Sequence, residues 1–302
     1  MGIVLSLGAA LLYGSGDFFG GRASRDASTI SVLLVAQVIA MLGALVVVLF
    51  TAPRFIGHDL MLGMLAGSAN VVGLGLLYAG LASGRMGVVA PVTAAVAAVV
   101  PVTWAVITGE RPSTLVSIGV VFAIVAAVLI GRERDTAAGS AMPALLLAIG
   151  SGTGLGASFI FYAETVPQSG MWPLLSARVV GVVLVGLVTL VLVARRVGSP
   201  VETAAAVEMN TGGVTPDASA GQRFLSSWVI LAVIAGLADV TATLFLIVAV
   251  RGDLAVVVAP IIALAPAFTV VLAWQVLHER IGRTQLAGLV LAAAGVVLIA
   301  IS

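Results

Sequence analysis

The sequence predicts an all-α polytopic membrane protein: ten transmembrane helices arranged as two inverted five-helix repeats. Three observations carry that prediction. Of 302 residues, 61% are hydrophobic and only 9% charged, against roughly 25% charged in a soluble domain, so the side chains needed to cover a water-facing surface are missing. Long apolar stretches recur along the whole chain, separated by charged, Pro- or Gly-rich breaks. The pattern of one stretch of the chain returns at a fixed offset of 169 residues.

A spanning helix needs about 20 mostly apolar residues, and ten segments meet that need, at about 2–21, 29–51, 60–82, 86–108, 113–131, 141–163, 171–194, 227–250, 254–277 and 284–301. The ten-residue alternation of an outer-membrane barrel is absent. The first segment has no basic leader, and Gly14-Ser15-Gly16-Asp17 interrupts its apolar core, so it reads as a retained helix and not a cleaved signal. Pro91 and Pro101 fall in the fourth span and Pro260 and Pro266 in the ninth, where a missing N–H and a ring clash bend the backbone. Such bends serve either as hinges that bare carbonyls to a cavity or as static kinks relieved by neighbouring helices. Trp172, Trp228 and Trp274 read as interfacial anchors. Between the seventh and eighth spans, about 196–226 is polar and rich in Gly and Pro, which predicts a mobile loop.

The repeat is specific. Val88-Val89-Ala90-Pro91 matches Val257-Val258-Ala259-Pro260, Glu110-Arg111 matches Glu279-Arg280, and Asn70 falls on Asp239; over 60–130 there are 21 identities in 71 positions. Upstream the offset shrinks to about 140, which places Gly14 and Gly16 on Gly154 and Gly156 and Ala36-Gln37-Val38 on Ala177-Arg178-Val179. The first repeat is expected at 1–131, a connecting loop at 132–140 and the second repeat at 141–302. Five spans is an odd number, so the second repeat enters the membrane upside down. Inverted repeats are a carrier architecture, with the substrate site near the midplane between the halves.

Tyr13-Gly14-Ser15-Gly16-Asp17-Phe18-Phe19, the Val-Ala-Pro of spans four and nine, and the ends Gly109-Glu110-Arg111 and His278-Glu279-Arg280 carry a further likeness. On these residues the chain resembles the EamA-type branch of the drug/metabolite transporter superfamily, over nearly its whole length. The resemblance implies a central cavity between two repeats and secondary transport, often export of amino acids, metabolites or drugs. Asp17 stands where members often have Asn.

Few charges fall inside spans. Asp239 lies near the centre of the eighth, where an ionised carboxylate costs roughly 2.5–3.5 kcal/mol on an insertion scale; it either binds a proton or a substrate ammonium, or joins helix to helix. Its repeat mate Asn70 offers the same hydrogen bonding without the charge. Arg178 lies about 10 Å into the seventh span at 1.5 Å per residue, and can snorkel, pair with Asp239 or bind a substrate carboxylate. Asp17 sits among Gly14, Gly16 and Gly20, which admit a close neighbour. Tyr13, Tyr78, Tyr162 and Trp104 are aromatic candidates for a cavity wall, with plain packing as the alternative. Glu164 reads as an interfacial acid, and Glu110 and Glu279 as ion-paired or capping groups of the next helix.

The function classes left open are few. A net charge of +1 supplies no basic stripe for nucleic acid, and the absence of Cys removes disulfides, thiolate metal sites and cysteine nucleophiles. There is no Lys, hence no Walker lysine, and no HExxH or GxSxG motif; no cofactor, metal or catalytic residue is expected. The reading is a secondary active transporter in the cell membrane, an exporter of small metabolites, amino acids or drug-like compounds, possible partners being a small-molecule substrate, protons and lipid. A scaffold or channel is the alternative, with an intramembrane enzyme behind it. Ten Arg lie in odd-numbered loops and three in even ones, which by the positive-inside rule places both termini outside. A reporter active only in the cytoplasm, fused to the C-terminus, is expected to stay silent; activity would reverse the orientation.

Overall fold

The computed structural model describes residues 1–51, 54–82, 86–130, 142–197, 218–277 and 282–301. The described residues are helical almost throughout, and no strand occurs among them. In chain order the helices are α1 (Gly2–Asp26), α2 (Thr29–Thr51), α3 (Gly57–Ala82), α4 (Met86–Ile107), α5 (Thr114–Ile130), α6 (Met142–Ala163), α7 (Trp172–Val197), α8 (Ala218–Gly252), α9 (Ala255–Ile262), α10 (Ala265–Leu277) and α11 (Arg283–Ala300). A single 3₁₀ turn, Pro167–Ser169, links α6 to α7. Six of the helices, α1, α2, α3, α6, α7 and α8, are long and apolar enough to cross a bilayer, and four shorter apolar segments account for the other spans.

The sequence places starts and stops where the backbone groups find partners. Ser28 Oγ accepts the Ser31 N–H at 3.2 Å and opens α2, and Ser113 Oγ accepts the Val116 N–H at 3.3 Å and opens α5, each satisfying one of the orphan donors of a helix N-terminus. Gly109 ends the turn after α4 with φ +107°, a conformation that favours glycine.

Two departures from the predicted elements stand out. The ninth span is two helices, not one: the chain turns at Ala263-Leu264 between α9 and α10. Pro260 lies inside α9, and Pro266 is the second residue of α10, where a first-turn N–H has no helical partner to lose. The matched fourth span, with Pro91 and a fully buried Pro101, stays one continuous helix; the side chain of Pro91 lies outside the described residues. The second departure is at the long connection. Helix α8 starts at Ala218, so the last part of the expected 196–226 loop is helical, while 198–217 lies outside the described residues.

Helix contacts follow the duplication. Helix α1 packs on α8 as α6 packs on α3; α2 packs on α8 as α7 packs on α3; α2 meets α7, and α5 meets α11. Exchanging each helix for its equivalent in the other half maps these contacts onto themselves. One pair of close approaches is also matched: a Cβ on Gly67 would overlap the Ala177 carbonyl, and one on Gly236 would overlap the Ala36 carbonyl, and these four residues are the repeat partners of one another. Small residues such as Ala9, Ala40, Ala44 and Ala66 are fully buried, while Leu49, Phe50, Leu187 and Leu190 point outward. That inside-out distribution suits a solvent as apolar as leucine, in which helices associate through close packing of small residues.

Because neighbouring backbone cannot yield, Gly67→Ala and Gly236→Ala are each expected to destabilise the protein by about 1–3 kcal/mol, read as a lowered unfolding temperature in detergent. Gly21, with nothing within 4 Å of an added Cβ, is the control whose Ala variant leaves that temperature unchanged.

Candidate functional site

The central polar cluster is built by α1, α2, α6, α7 and α8. Arg178 lies in the second turn of α7 and Asp239 at mid-span in α8. Since α7 starts on the face of the bundle where α8 ends, the arginine side chain runs inward to reach the carboxylate. Its Nη1 contacts Asp239 Oδ2 at 2.5 Å, with side-chain exposures of 5% for Arg178 and 31% for Asp239; the arginine is thus sealed in protein while the carboxylate keeps an open side. Of the arrangements open to Arg178 in the sequence, the structure has the pair.

Neutral groups complete the shell. Arg178 Nη1 also donates to Gln37 Oε1 at 3.4 Å, and Nη2 donates to Thr243 Oγ1 at 2.5 Å. Thr243 donates its own proton to the Asp239 backbone carbonyl at 2.8 Å. A hydroxyl has one proton and two lone pairs, so the remaining bond, 2.9 Å between Tyr13 OH and Thr243 Oγ1, has Tyr13 as donor. One threonine therefore ties α1, α7 and α8 together. Arg178 Nε is buried without a hydrogen-bond partner.

Tyr162, 4% exposed, lies close enough to Arg178 and Asp239 to interact with both charges, so both tyrosines, one from each half, flank the pair. Asp17 is exposed, one helical turn beyond Tyr13 and next to Gly16, whose Cβ position faces Ala238 at 3.5 Å and the Asp239 N–H. It also feels the Asp239 charge. The structure thus gathers Tyr13, Asp17, Tyr162, Arg178 and Asp239 from the sequence-derived set.

Other predicted residues stand apart. Trp104 is 43% exposed and donates from Nε1 to Glu164 Oε1 at 2.8 Å, joining two helix ends and lining nothing central. Asn70 is half-buried in α3, outside the Arg178 shell. The side chains of Tyr78, Pro266 and Trp274 lie outside the described residues, as does Glu279. Glu110 caps a helix, but not the next one: its Oε1 and Oε2 accept the Ala255 and Val256 N–H groups at 3.0 and 2.9 Å. That puts its negative charge on the positive end of α9, in the other half of the chain, while Ser113 caps α5.

Thr243 and Gln37 were not singled out by the sequence, although both carried a signal: Thr243 is four residues from Asp239 on one helix face, and Gln37 is the repeat partner of Arg178. Asp59, near the start of α3, and Arg251, at the C-terminal end of α8, were missed as well. Among the described residues, no group of three His, Cys, Asp or Glu side chains is placed to hold a metal ion.

An all-helical bundle with an apolar exterior and a charged pair enclosed at mid-span is an integral, multi-pass membrane protein of the transporter type. The sequence matches the EamA-like transporter family over residues 1–132 and 142–301. The chain therefore belongs to the EamA-like transporter family, within the drug/metabolite transporter superfamily. A crystal structure matches 98% of this chain and 95% of its own, with a TM-score of 0.69 and 14% sequence identity, a likeness of fold. No curated protein matches the chain.

The Arg178–Asp239 contact makes a testable statement about energetics. Removing one member of a buried pair strands the other, whereas removing both leaves apolar surface. Arg178→Leu and Asp239→Leu are each expected to unfold at lower temperature than the double variant, with a coupling of at least about 1 kcal/mol; additive losses would show that the contact contributes nothing specific.

Proposed function

We propose that the protein is a secondary carrier of the cell membrane that exports small metabolites, amino acids or drug-like compounds by alternating access, coupled to protons through Asp239. The two repeats, taken as 1–131 and 141–302, are the bodies that move, and the break between α9 and α10 with Pro260 and Pro266 is one hinge; Pro91 and Pro101 serve the matched span. The observation that carries the coupling is the pair itself: a partly open carboxylate facing a sealed guanidinium.

A proton on Asp239 neutralises the one anion in contact with Arg178. The guanidinium stays charged under all conditions, so it then needs another acceptor or another position. Gln37, from the first half, and Thr243, from the second, hold the two ends of the fork, so a loss of attraction at Nη1 changes the balance between halves. Binding a proton and moving the halves are in this way one event. Tyr13 and Tyr162 offer apolar faces with a polar tip beside the pair, suited to an amphipathic solute, and Asp17 adds a second carboxylate on the α1 side.

The test is flux in reconstituted vesicles. Wild-type protein is expected to move members of a metabolite panel in a manner dependent on a proton gradient, and Asp239→Asn is expected to abolish that dependence. Gradient-driven flux that survives unchanged in Asp239→Asn removes the coupling role.

A further inference from the structure

At the face where α3, α7 and α9 begin, the segment between α6 and α7 is tied down from several directions. Asp59, 1% exposed near the start of α3, accepts the Val166 N–H on Oδ2 at 2.8 Å. Arg251, at the end of α8, donates Nη1 to the Gly170 carbonyl at 2.7 Å and Nη2 to Thr165 Oγ1 at 2.6 Å and Ser169 Oγ at 3.2 Å, with Nε also on Thr165 at 3.2 Å. Trp104 of α4 holds Glu164, and the Arg54 N–H holds the Gln168 carbonyl at 3.2 Å. Asp59 and Arg251 act on each other's charge through the strap they grip. Asp59, Arg54 and Trp104 belong to the first half, the strap and Arg251 to the second, so the bonds from Asp59, Arg54 and Trp104 fasten one half to the other, while those from Arg251 hold the strap in the shape that receives them.

Among the described residues the repeat has no equivalent of this grip. At the offset of 169, Asp59 corresponds to Trp228 and Arg251 to Ala82, which offer neither a carboxylate nor a guanidinium. The matching connection, between α1 and α2, is only Ala27-Ser28. A carrier made of two equivalent halves has two end states related by exchanging them; side chains without a repeat partner are what make one state lower in energy. We propose that the strap 164–171, gripped by Asp59 and Arg251, is a lock that closes this face of the carrier and selects the end state occupied at rest. This rests on the alternating-access reading above.

The natural chain has no Cys, so single-cysteine probes report without background. In nanodiscs, where both faces meet water, the rate of maleimide modification is followed at three buried positions: Leu174 beside the strap, Ile247 one turn deeper than Arg251, and Ala232 towards the opposite face. Arg251→Ala is expected to raise the rates of Leu174→Cys and Ile247→Cys by about tenfold, the scale of losing a charge-assisted hydrogen bond, while leaving Ala232→Cys no faster. Thr165→Val, which removes the acceptor of two Arg251 bonds and keeps every charge, is expected to act in the same direction and covers the case in which Arg251→Ala fails to fold. A rise at Leu174 alone means local fraying, a rise at all three positions means general unfolding, and no rise means no lock; each overturns the proposal. Wild-type flux of the metabolite panel is measured on the same protein in vesicles. Intact flux with unchanged probe rates removes the lock alone, whereas absent flux removes the carrier reading.

Discussion

The structure is organised around the cost of keeping a guanidinium away from water. Arg178 cannot lose its proton to escape that cost, so the fold has to supply acceptors. It does so from two helices, with Asp239 and Thr243 on α8 and Gln37 on α2, while Tyr13 on α1 donates to Thr243 one bond further out. Those acceptors fix the rotation of each helix about its own axis, since turning α8 by one residue would withdraw both Asp239 and Thr243 at once. A buried ion pair is nonetheless poor value as a stabiliser, because well-packed apolar side chains of similar size do as well or better. Stability alone therefore does not account for its presence among these mostly apolar helices.

Close packing brings the helices near enough for that shell to form. Lipid offers no hydrophobic drive for helices to associate, so backbones must approach until dispersion and short polar contacts suffice. Gly67 against Ala177 and Gly236 against Ala36 are such approaches, and Ala177 immediately precedes Arg178 just as Ala36 precedes Gln37. These two matched backbone contacts therefore help set the positions of the two residues that meet near the junction of the halves. Packing and chemistry share the same register, so a change that loosens one displaces the other.

Much of this was legible in the sequence. Apolar length and the breaks between stretches located the helices, because lipid permits no other spanning backbone in a single chain without strand alternation. The offset of 169 implied two halves, and the rarity of charge within spans pointed to Asp239, Arg178 and Asp17. What the sequence did not reveal depends on geometry between distant segments. A proline pattern shared by spans four and nine did not show that only the second would split, since the Ala263-Leu264 turn depends on what packs around it. Glu110 looked like a cap for its own neighbour, yet its partner lies 145 residues away in α9. Asp59 drew no attention in the sequence; its burial goes with the strap whose Val166 N–H it accepts. Thr243 was hidden by being an ordinary threonine, although its spacing from Asp239 marked it.

The departures from the duplication carry more information than its agreements. Where both halves keep the same residue, as at Gly67 and Gly236, the need is architectural and applies equally to either orientation. Where they differ in charge, Gln37 against Arg178, Asn70 against Asp239, Trp228 against Asp59 and Ala82 against Arg251, the symmetry between the halves is lost. At the first two positions the second half holds the charged member, and Arg178 meets the neutral Gln37 of the first half. At the last two, the charges lie at one end of the bundle and grip a strap that has no counterpart at the other end. A duplicated chain with identical halves would have no reason to favour either orientation. The proposed preference for one end state rests on these four differences, of which Gln37 with Arg178 and Asp59 with the strap cross between the halves.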